Sequence, residues 1–253
     1  MAISQQALKN IEFLFPSGQS ELLRTDPDLV EIFANFAFDE VPRESLLPQR
    51  IRLMVQLAAL IGTGAHTEFQ VMLEAAASAG VTPVEMKEVV YQAVPYVGLG
   101  RVIDFVHLLN ERLQAGGVAL PLPSQATTTA ADRLAKGLAL QKAVAGAEVI
   151  EAMQASAPAG LTHVQRFLGG NCFGDHVSRA GLDIATRELV TLALLASLGG
   201  CDLQLQGHVA INVKVGNDRG VMIDVVTQIL PFIGYPRALN ALRGIQEKAP
   251  ARG

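Results

Sequence analysis

Apolar residues recur along most of the 253-residue chain at the spacing of one helix face. Over 28–38, for example, Leu29, Ile32, Phe33 and Phe36 fall on one side of a helix. Segments rich in glycine, proline and polar residues separate these patterns. The sequence predicts helices over 4–15, 28–38, 46–61, 65–79, 83–97, 101–114, 130–155 and 162–168, with a loop over 39–45.

The helix over 83–97 has start and stop signals of its own. Thr82 suits the N-cap, Pro83 the first helical position, and Glu85 can close a capping box. Gly98 should end this helix. Two more apolar helices are expected on either side of Gly200, packed antiparallel.

The second half of the chain repeats the first. P-Y-V-G at 95–98 matches P-F-I-G at 231–234, an offset of 136 between Gly98 and Gly234. Without a gap, the same offset pairs identical residues: Asp39 with Asp175, Arg43 with Arg179, Gly64 with Gly200, Gln70 with Gln206, Gly80 with Gly216, Met86 with Met222, Gln92 with Gln228 and Arg101 with Arg237. The chain is therefore interpreted as a tandem duplication of one helical unit around a pseudo-two-fold axis.

The stretch A-G-G-V-A-L-P-L-P-S-Q-A-T-T-T at 115–129 has the glycine, proline and threonine content of a linker. We predict a first unit over 1–116, a linker over 117–129 and a second unit over 130–253. Hydrophobic residues make up 50% of the chain and aromatic residues only 5%, which favours closely packed helices over a sheet. The predicted fold class is all-α.

Charge and composition also exclude several functions. The net charge is −4 and no basic run occurs, so neither nucleic acid nor an anionic membrane surface is an expected partner. The longest apolar runs reach about a dozen residues, below the ~20 that span a bilayer. The N-terminal sequence lacks the pattern of a secretory signal, so we expect a cytoplasmic protein. Two cysteines are too few for a disulfide framework, although a redox role remains open.

Four polar residues distinguish the second copy from the first. The second copy has His208, Cys201, Glu188 and Gln204 at the positions where the first copy has Met72, Ala65, Arg52 and Glu68, respectively. We therefore expect the first unit to be mainly structural and the second to carry a site.

His208 and Glu188 are the first candidates for catalysis. A neutral imidazole can act as an acid or a base near pH 7, although a hydrogen-bonded core histidine is the alternative. If the turn centres near Gly200, the two residues differ by four positions along the helix axis, or ~6 Å. Glu188 could then orient His208. It could instead be a carboxylate near a helix N-terminus or a partner of Arg187.

For the other candidate residues, a structural role is as reasonable as a functional one. Arg179 can bind a carboxylate through two hydrogen bonds. However, the first copy, which lacks the other candidate residues, has Arg43 at the equivalent position, so Arg179 also suits a structural role. His176 is a weaker candidate for substrate binding. Cys201 follows two glycines at an expected helix N-terminus, which would lower its thiol pKa, or it is a small buried residue. Gln204 could donate to an enolate oxygen or lie on the surface.

The second copy resembles a known family. The run F-G-D-H-V-S-R-A-G-L-D-I-A-T-R-E-L-V-T-L-A-L-L-A-S-L-G at 173–199, with H-V-A at His208 and P-F-I-G-Y-P at 231–236, resembles carboxymuconolactone decarboxylases and the related alkyl hydroperoxidase D family. The resemblance is closer over 174–246 than over 39–112. It implies an all-α fold, a homo-oligomer in which three two-unit chains resemble a hexamer, and no metal or organic cofactor.

The resemblance leaves the reaction open. Members of the peroxidase branch carry C-x-x-C-x-x-x-H, and this chain has Cys201, Gln204 and His208 in those places, without the second thiol. Decarboxylases typically have a glutamate where Gln204 stands. Our leading hypothesis is a decarboxylase of a small acidic lactone or related enolisable acid. In this hypothesis Arg179 binds the departing carboxylate of the substrate, and Gln204 donates a hydrogen bond to the enolate oxygen. His208, together with Glu188, delivers the proton to carbon. A thiol peroxidase using Cys201 and a non-catalytic oligomeric binding protein are the alternatives.

Overall fold

The computed structural model describes residues 2–18 and 21–249, and its regular secondary structure is all helical, with no strand in those ranges. The first half contains α1 (Gln5–Leu14), α2 (Leu22–Thr25), α3 (Pro27–Asn35), α4 (Val41–Arg43), α5 (Gln49–Thr63), α6 (His66–Ser78), α7 (Pro83–Val97) and α8 (Leu99–Ala115). The second half contains α9 (Arg133–Ala145), α10 (Ala147–Ala155), α11 (Thr162–Phe167), α12 (Ile184–Leu198), α13 (Asp202–Lys214), α14 (Arg219–Ile233) and α15 (Tyr235–Lys248). None of the described helices is long and apolar enough to cross a membrane.

Corresponding helices of the two halves begin at corresponding residues. His66 and Asp202 begin α6 and α13, and Pro83 and Arg219 begin α7 and α14, at the offset found in the sequence. Each half also contains a π-helical segment ahead of its first long helix, Phe36–Glu40 in the first and Leu168–Val177 in the second. The predicted all-α fold of two tandem units is confirmed.

The two units share one hydrophobic core. The equivalent helices α5 and α12 pack directly against each other, while α7 packs on α12 and α14 packs on α5. Such reciprocal contacts are what a two-fold relation produces. Gly62 of α5 lies so close to α12 that an added Cβ would come within 2.7 Å of the Ser197 Cβ. Side chains from both units, such as Leu57 and Leu192, are fully buried in the same cluster.

Most predicted helices are present, and the capping box of Thr82 and Glu85 is confirmed. Two predictions are wrong. The single helix expected over 130–155 is two helices, because Gly146 adopts a φ of +105° and interrupts it. The loop expected over 39–45 is largely helical, because Pro42 lies in the first turn of α4, where its missing N–H is tolerated.

The segment between α8 and α9 is not helical, and it packs against the second unit. The backbone N–H of Ala180 donates to the Gln125 carbonyl over 2.9 Å. The hydroxyls of Thr127 and Thr128 donate to the carbonyls of Ser178 and Gly174. These bonds place the segment beside the residues that lead into α12.

Three glycines allow α9 to pack closely on the Leu168–Val177 π-helix. A Cβ on Gly137 would overlap the carbonyl oxygen of Gly169 and the backbone nitrogen of Gly174. This contact covers a small apolar cluster that contains Cys172 and Phe173. The glycines therefore hold the π-helix in place.

We expect the Gly137→Ala variant to lose about 1–3 kcal/mol of unfolding free energy, because the added methyl group forces two backbones apart. Gly207→Ala is the matched control, since Gly207 also lies within a helix but has no neighbour near its Cβ position. The unfolding free energy of this control variant should rise by about 0.5–1 kcal/mol. Urea denaturation of both variants measures the difference, and equal effects would contradict the close packing.

Candidate active site

A hydrogen bond between a histidine and a fully buried glutamate joins α12 to α13. The Nδ1 atom of His208 lies 2.7 Å from Oε2 of Glu188, whose side chain is 0% exposed, while the His208 side chain is 15% exposed. The predicted contact between these two residues is therefore present. Because a carboxylate only accepts, Nδ1 carries the hydrogen and Nε2 is the atom left to exchange a proton.

Two asparagines fix this pair in position. The buried Asn212 side-chain amide donates to the Glu188 carbonyl over 3.2 Å and to the His208 carbonyl over 2.9 Å. Asn217 in turn donates to the Asn212 side-chain oxygen over 2.8 Å and to the Ala185 carbonyl over 2.9 Å. The geometry of α12 and α13 around His208 thus depends on side-chain bonds that we had not predicted.

The first unit contributes Tyr96 to the site. Its ring lies edge-on to the His208 ring, with centroids 5.5 Å apart. Its buried hydroxyl lies near the Cys172 thiol and the Thr191 hydroxyl, but neither is in regular hydrogen-bonding geometry with it. Within the described residues, the Glu188 Oε1 atom also lacks a hydrogen-bond partner. Side chains of both units therefore meet around His208.

The groups behind His208 are held in their neutral forms. Burial raises the pKa of Tyr96 well above its ordinary value, and the nearby Cys172 and Glu188 add to the effect. Burial, with a further contribution from Glu188, raises the pKa of Cys172 to about 12. Neither Tyr96 nor Cys172 therefore ionises near neutral pH.

The Tyr96→Phe variant should be more stable than the wild type by about 1 kcal/mol, because it removes a buried hydroxyl without a regular hydrogen bond. Phe232 occupies the equivalent position of the second copy, so a phenyl ring suits this part of the unit. Tyr235→Phe, at an exposed tyrosine, is the control and should leave stability unchanged. A loss of stability in Tyr96→Phe, measured by urea denaturation, would show that the hydroxyl makes a stabilising bond.

A second charged cluster joins the units near the N-terminal half of α7. The Nε and Nη2 atoms of Arg179 bind Glu88 over 2.9–3.1 Å, and Arg187 Nη2 binds the same carboxylate over 2.7 Å. Arg187 also donates to Gln92 and to the Arg179 carbonyl. Glu88 and Tyr96 are eight residues apart on α7, an axial separation of ~12 Å, so the Glu88 carboxylate lies more than two turns from the ring that contacts His208. Arg179 is therefore engaged by Glu88, and no contact brings it to His208.

The family of the chain follows from comparison with known proteins. A sequence model of the carboxymuconolactone decarboxylase family matches residues 27–111 and 162–247, one match in each unit. The chain belongs to this family. It is 30% identical over 92 residues to the 4-carboxymuconolactone decarboxylase of Acinetobacter baylyi, a match that covers 36% of this chain and 69% of that protein. Together these matches support a decarboxylase-like or alkyl hydroperoxidase-like function.

Cys201 does not have the lowered pKa that its place at a helix N-terminus led us to expect. Burial, and then the neighbouring Asp202 carboxylate, raise the pKa of this thiol. Its Sγ donates to the Leu195 carbonyl over 3.3 Å and makes no cap bond to α13. In this member of the family, partial burial outweighs the helix N-terminus.

The two cysteines do not form a disulfide. Cys172 lies in the small apolar cluster beneath α9, whereas Cys201 packs against the main core. The structure therefore shows no dithiol centre of the kind found in the peroxidase branch of the family.

The remaining candidates lie around, but not against, the ion pair. Gln204 is exposed one turn before His208 on α13, and its side chain makes no hydrogen bond to any described residue. Residues four apart lie on the same helix face, so Gln204 and His208 share one side of α13. His176 Nδ1 lies 3.0 Å from the Tyr91 carbonyl, and burial lowers the pKa of this histidine. No group of three or more His, Cys, Asp or Glu residues in the described ranges is arranged to hold a metal ion.

Proposed function

We propose that this protein is a carboxy-lyase that acts on a small carboxylated lactone or a related enolisable acid, with His208 as the general acid and base. The observation that carries the proposal is the 2.7 Å bond between His208 and the fully buried Glu188. A buried carboxylate on Nδ1 fixes the orientation of the imidazole and stabilises the positive charge that it carries when protonated. Because this bond engages Nδ1, proton transfer to and from the substrate takes place at Nε2.

The proposed reaction breaks the bond between the substrate carbon and its carboxylate. Carbon dioxide leaves, and the bonding electron pair passes into the neighbouring carbonyl to form an enolate. Protonated His208 then donates the Nε2 proton to the same carbon, and the enolate returns to the carbonyl. A proton taken up from solvent restores protonated His208, so each turnover consumes one proton and releases one carbon dioxide. No electrons are gained or lost in the cycle.

Substrate binding in this proposal takes place over the face of α13 that carries Gln204 and His208. The exposed Gln204 amide supplies a donor for the enolate oxygen, as proposed from the sequence. Arg179 was the carboxylate anchor expected from the sequence. In the structure its Nε and Nη2 atoms bind Glu88, and the proposal leaves the anchor for the substrate carboxylate unassigned.

The reaction distinguishes this proposal from a thiol peroxidase. We expect carbon dioxide release from 4-carboxymuconolactone or another carboxylated lactone, and the Cys201→Ser variant should release it at the wild-type rate. A peroxidase would instead consume peroxide, form a disulfide and lose activity in Cys201→Ser. Absence of carbon dioxide release from every carboxylated lactone tried would overturn the proposal.

A further inference from the structure

A cavity of about 540 Å³ lies beside α7, outside the His208 site. Residues of α7 and α8, the segment 120–125 and Arg179 form its walls, and neither His208 nor Glu188 lines it. Its volume is within the range of small-molecule sites, roughly 300–1,000 Å³. The cavity is therefore large enough for a small organic ligand.

Lys87 places a positive charge in the wall of this cavity. The residue is 8% exposed, and among the described residues no carboxylate lies within ion-pair distance of its ammonium. Its one hydrogen-bond partner is the Asn110 side-chain oxygen, which leaves two of its three N–H groups without a partner. Burial of an unpaired charge is unfavourable, and here it lowers the pKa of Lys87.

The neighbouring ion pairs do not neutralise this charge. Glu88 is shared between Arg179 and Arg187, so two guanidinium groups face one carboxylate. Glu85, the other acidic residue near Lys87 on α7, is paired with Arg50. The Arg179 Nη1 atom makes no hydrogen bond within the described part of the chain. Arg179 and Lys87 therefore leave an excess of positive charge at one wall.

Most of the remaining lining is apolar and partly aromatic. The Tyr91 ring lies between the two cations, with the Lys87 Nζ atom 6.0 Å and the Arg179 Cζ atom 5.1 Å from its centroid. Val84 and the Leu120–Pro123 stretch supply the rest of the apolar surface, and the polar residues Ser124 and Gln125 also line the cavity. A ligand that fits these walls has one anionic end and an apolar body.

We propose that this cavity binds a small organic carboxylate, whose charged end contacts Lys87 and Arg179 and whose apolar body packs on Tyr91 and residues 120–123. The site is distinct from the His208 site, and its occupation does not depend on which reaction His208 catalyses. The second copy lacks the first-unit side chains that form it. At the equivalent positions of the second copy, Ile223 replaces Lys87, Thr227 replaces Tyr91 and Gln246 replaces Asn110.

Calorimetric titration of the full-length protein with benzoate tests the proposal. Benzoate should bind, and Lys87→Met should weaken its binding roughly tenfold to a hundredfold, the effect of losing a charged hydrogen bond. His208→Gln should bind benzoate as the wild type does, which locates the binding outside the His208 site. Benzamide, of the same shape but neutral, should bind far more weakly than benzoate.

Asn110→Asp provides a second test if Lys87→Met fails to fold. The new carboxylate would sit against the Lys87 ammonium and cancel its charge, so benzoate affinity should fall in this variant too. The proposal is overturned if benzoate does not bind, if both variants retain wild-type affinity, or if His208→Gln alone abolishes binding. Inorganic phosphate binding as tightly as benzoate would also contradict it, since the apolar walls would then contribute nothing.

Discussion

Replacement of His208 by alanine should lower kcat/KM for carbon dioxide release by roughly 10²- to 10⁴-fold, the usual contribution of a positioned acid or base. In the proposed reaction the variant lacks the atom that delivers the proton, so kcat should fall rather than KM rise. Glu188→Gln should also lower kcat, because its neutral amide cannot stabilise the protonated imidazole. Steady-state rates on a carboxylated lactone measure both effects.

His107→Ala is the matched control for this experiment. His107 is an exposed histidine of α8, away from the ion pair, so its removal should leave kcat/KM unchanged. Circular dichroism should show that all three variants keep the helical content of the wild type. Full activity in a folded His208→Ala variant would contradict the proposed acid–base role.

Replacement of Glu88 by alanine should lower the free energy of unfolding by about 3–5 kcal/mol, the range found when one partner of a buried ion pair is removed. Both Glu88 and Arg187 have side chains that are only 1% exposed. Without the carboxylate, the Arg187 guanidinium would remain buried between the two units with only neutral partners. Urea or guanidinium denaturation measures the loss.

Glu21→Ala is the control for Glu88→Ala. Glu21 pairs with Arg24 in an ion pair whose side chains are 79% and 74% exposed. Because solvent screens an exposed pair, this variant should lose less than about 1 kcal/mol. Comparable losses from the two variants would mean that the buried cluster does not hold the units together.

The contact between Glu188 and His208 could be predicted because it depends on local sequence. Two helices joined by a short turn pack antiparallel, and their distances from Gly200 set which residues meet. The internal repeat also marks the residues that hold this pair. Asn212 and Asn217, which fix the pair, stand opposite Ala76 and Val81, so the same comparison of copies points to them.

Tyr96 could not be predicted in the same way. It lies in the first unit, and its contact with His208 depends on how α7 packs against α12, which no local pattern specifies. The expected pKa of Cys201 was wrong for a related reason. A helix N-terminus is visible in a sequence, whereas burial of a thiol is set by side chains from elsewhere in the fold. Arg179 likewise binds the Glu88 carboxylate of the first unit, a contact that depends on how the two units pack together.

The covalent joining of two units that share one core has a consequence for how the protein can change. In a homodimer of single units, every substitution occurs twice, once on each side of the axis. In this chain Met72 and His208, or Lys87 and Ile223, occupy equivalent places with different chemistry. One molecule can therefore carry, at a given position of one half, a side chain that the equivalent position of the other half lacks, in a fixed one-to-one ratio.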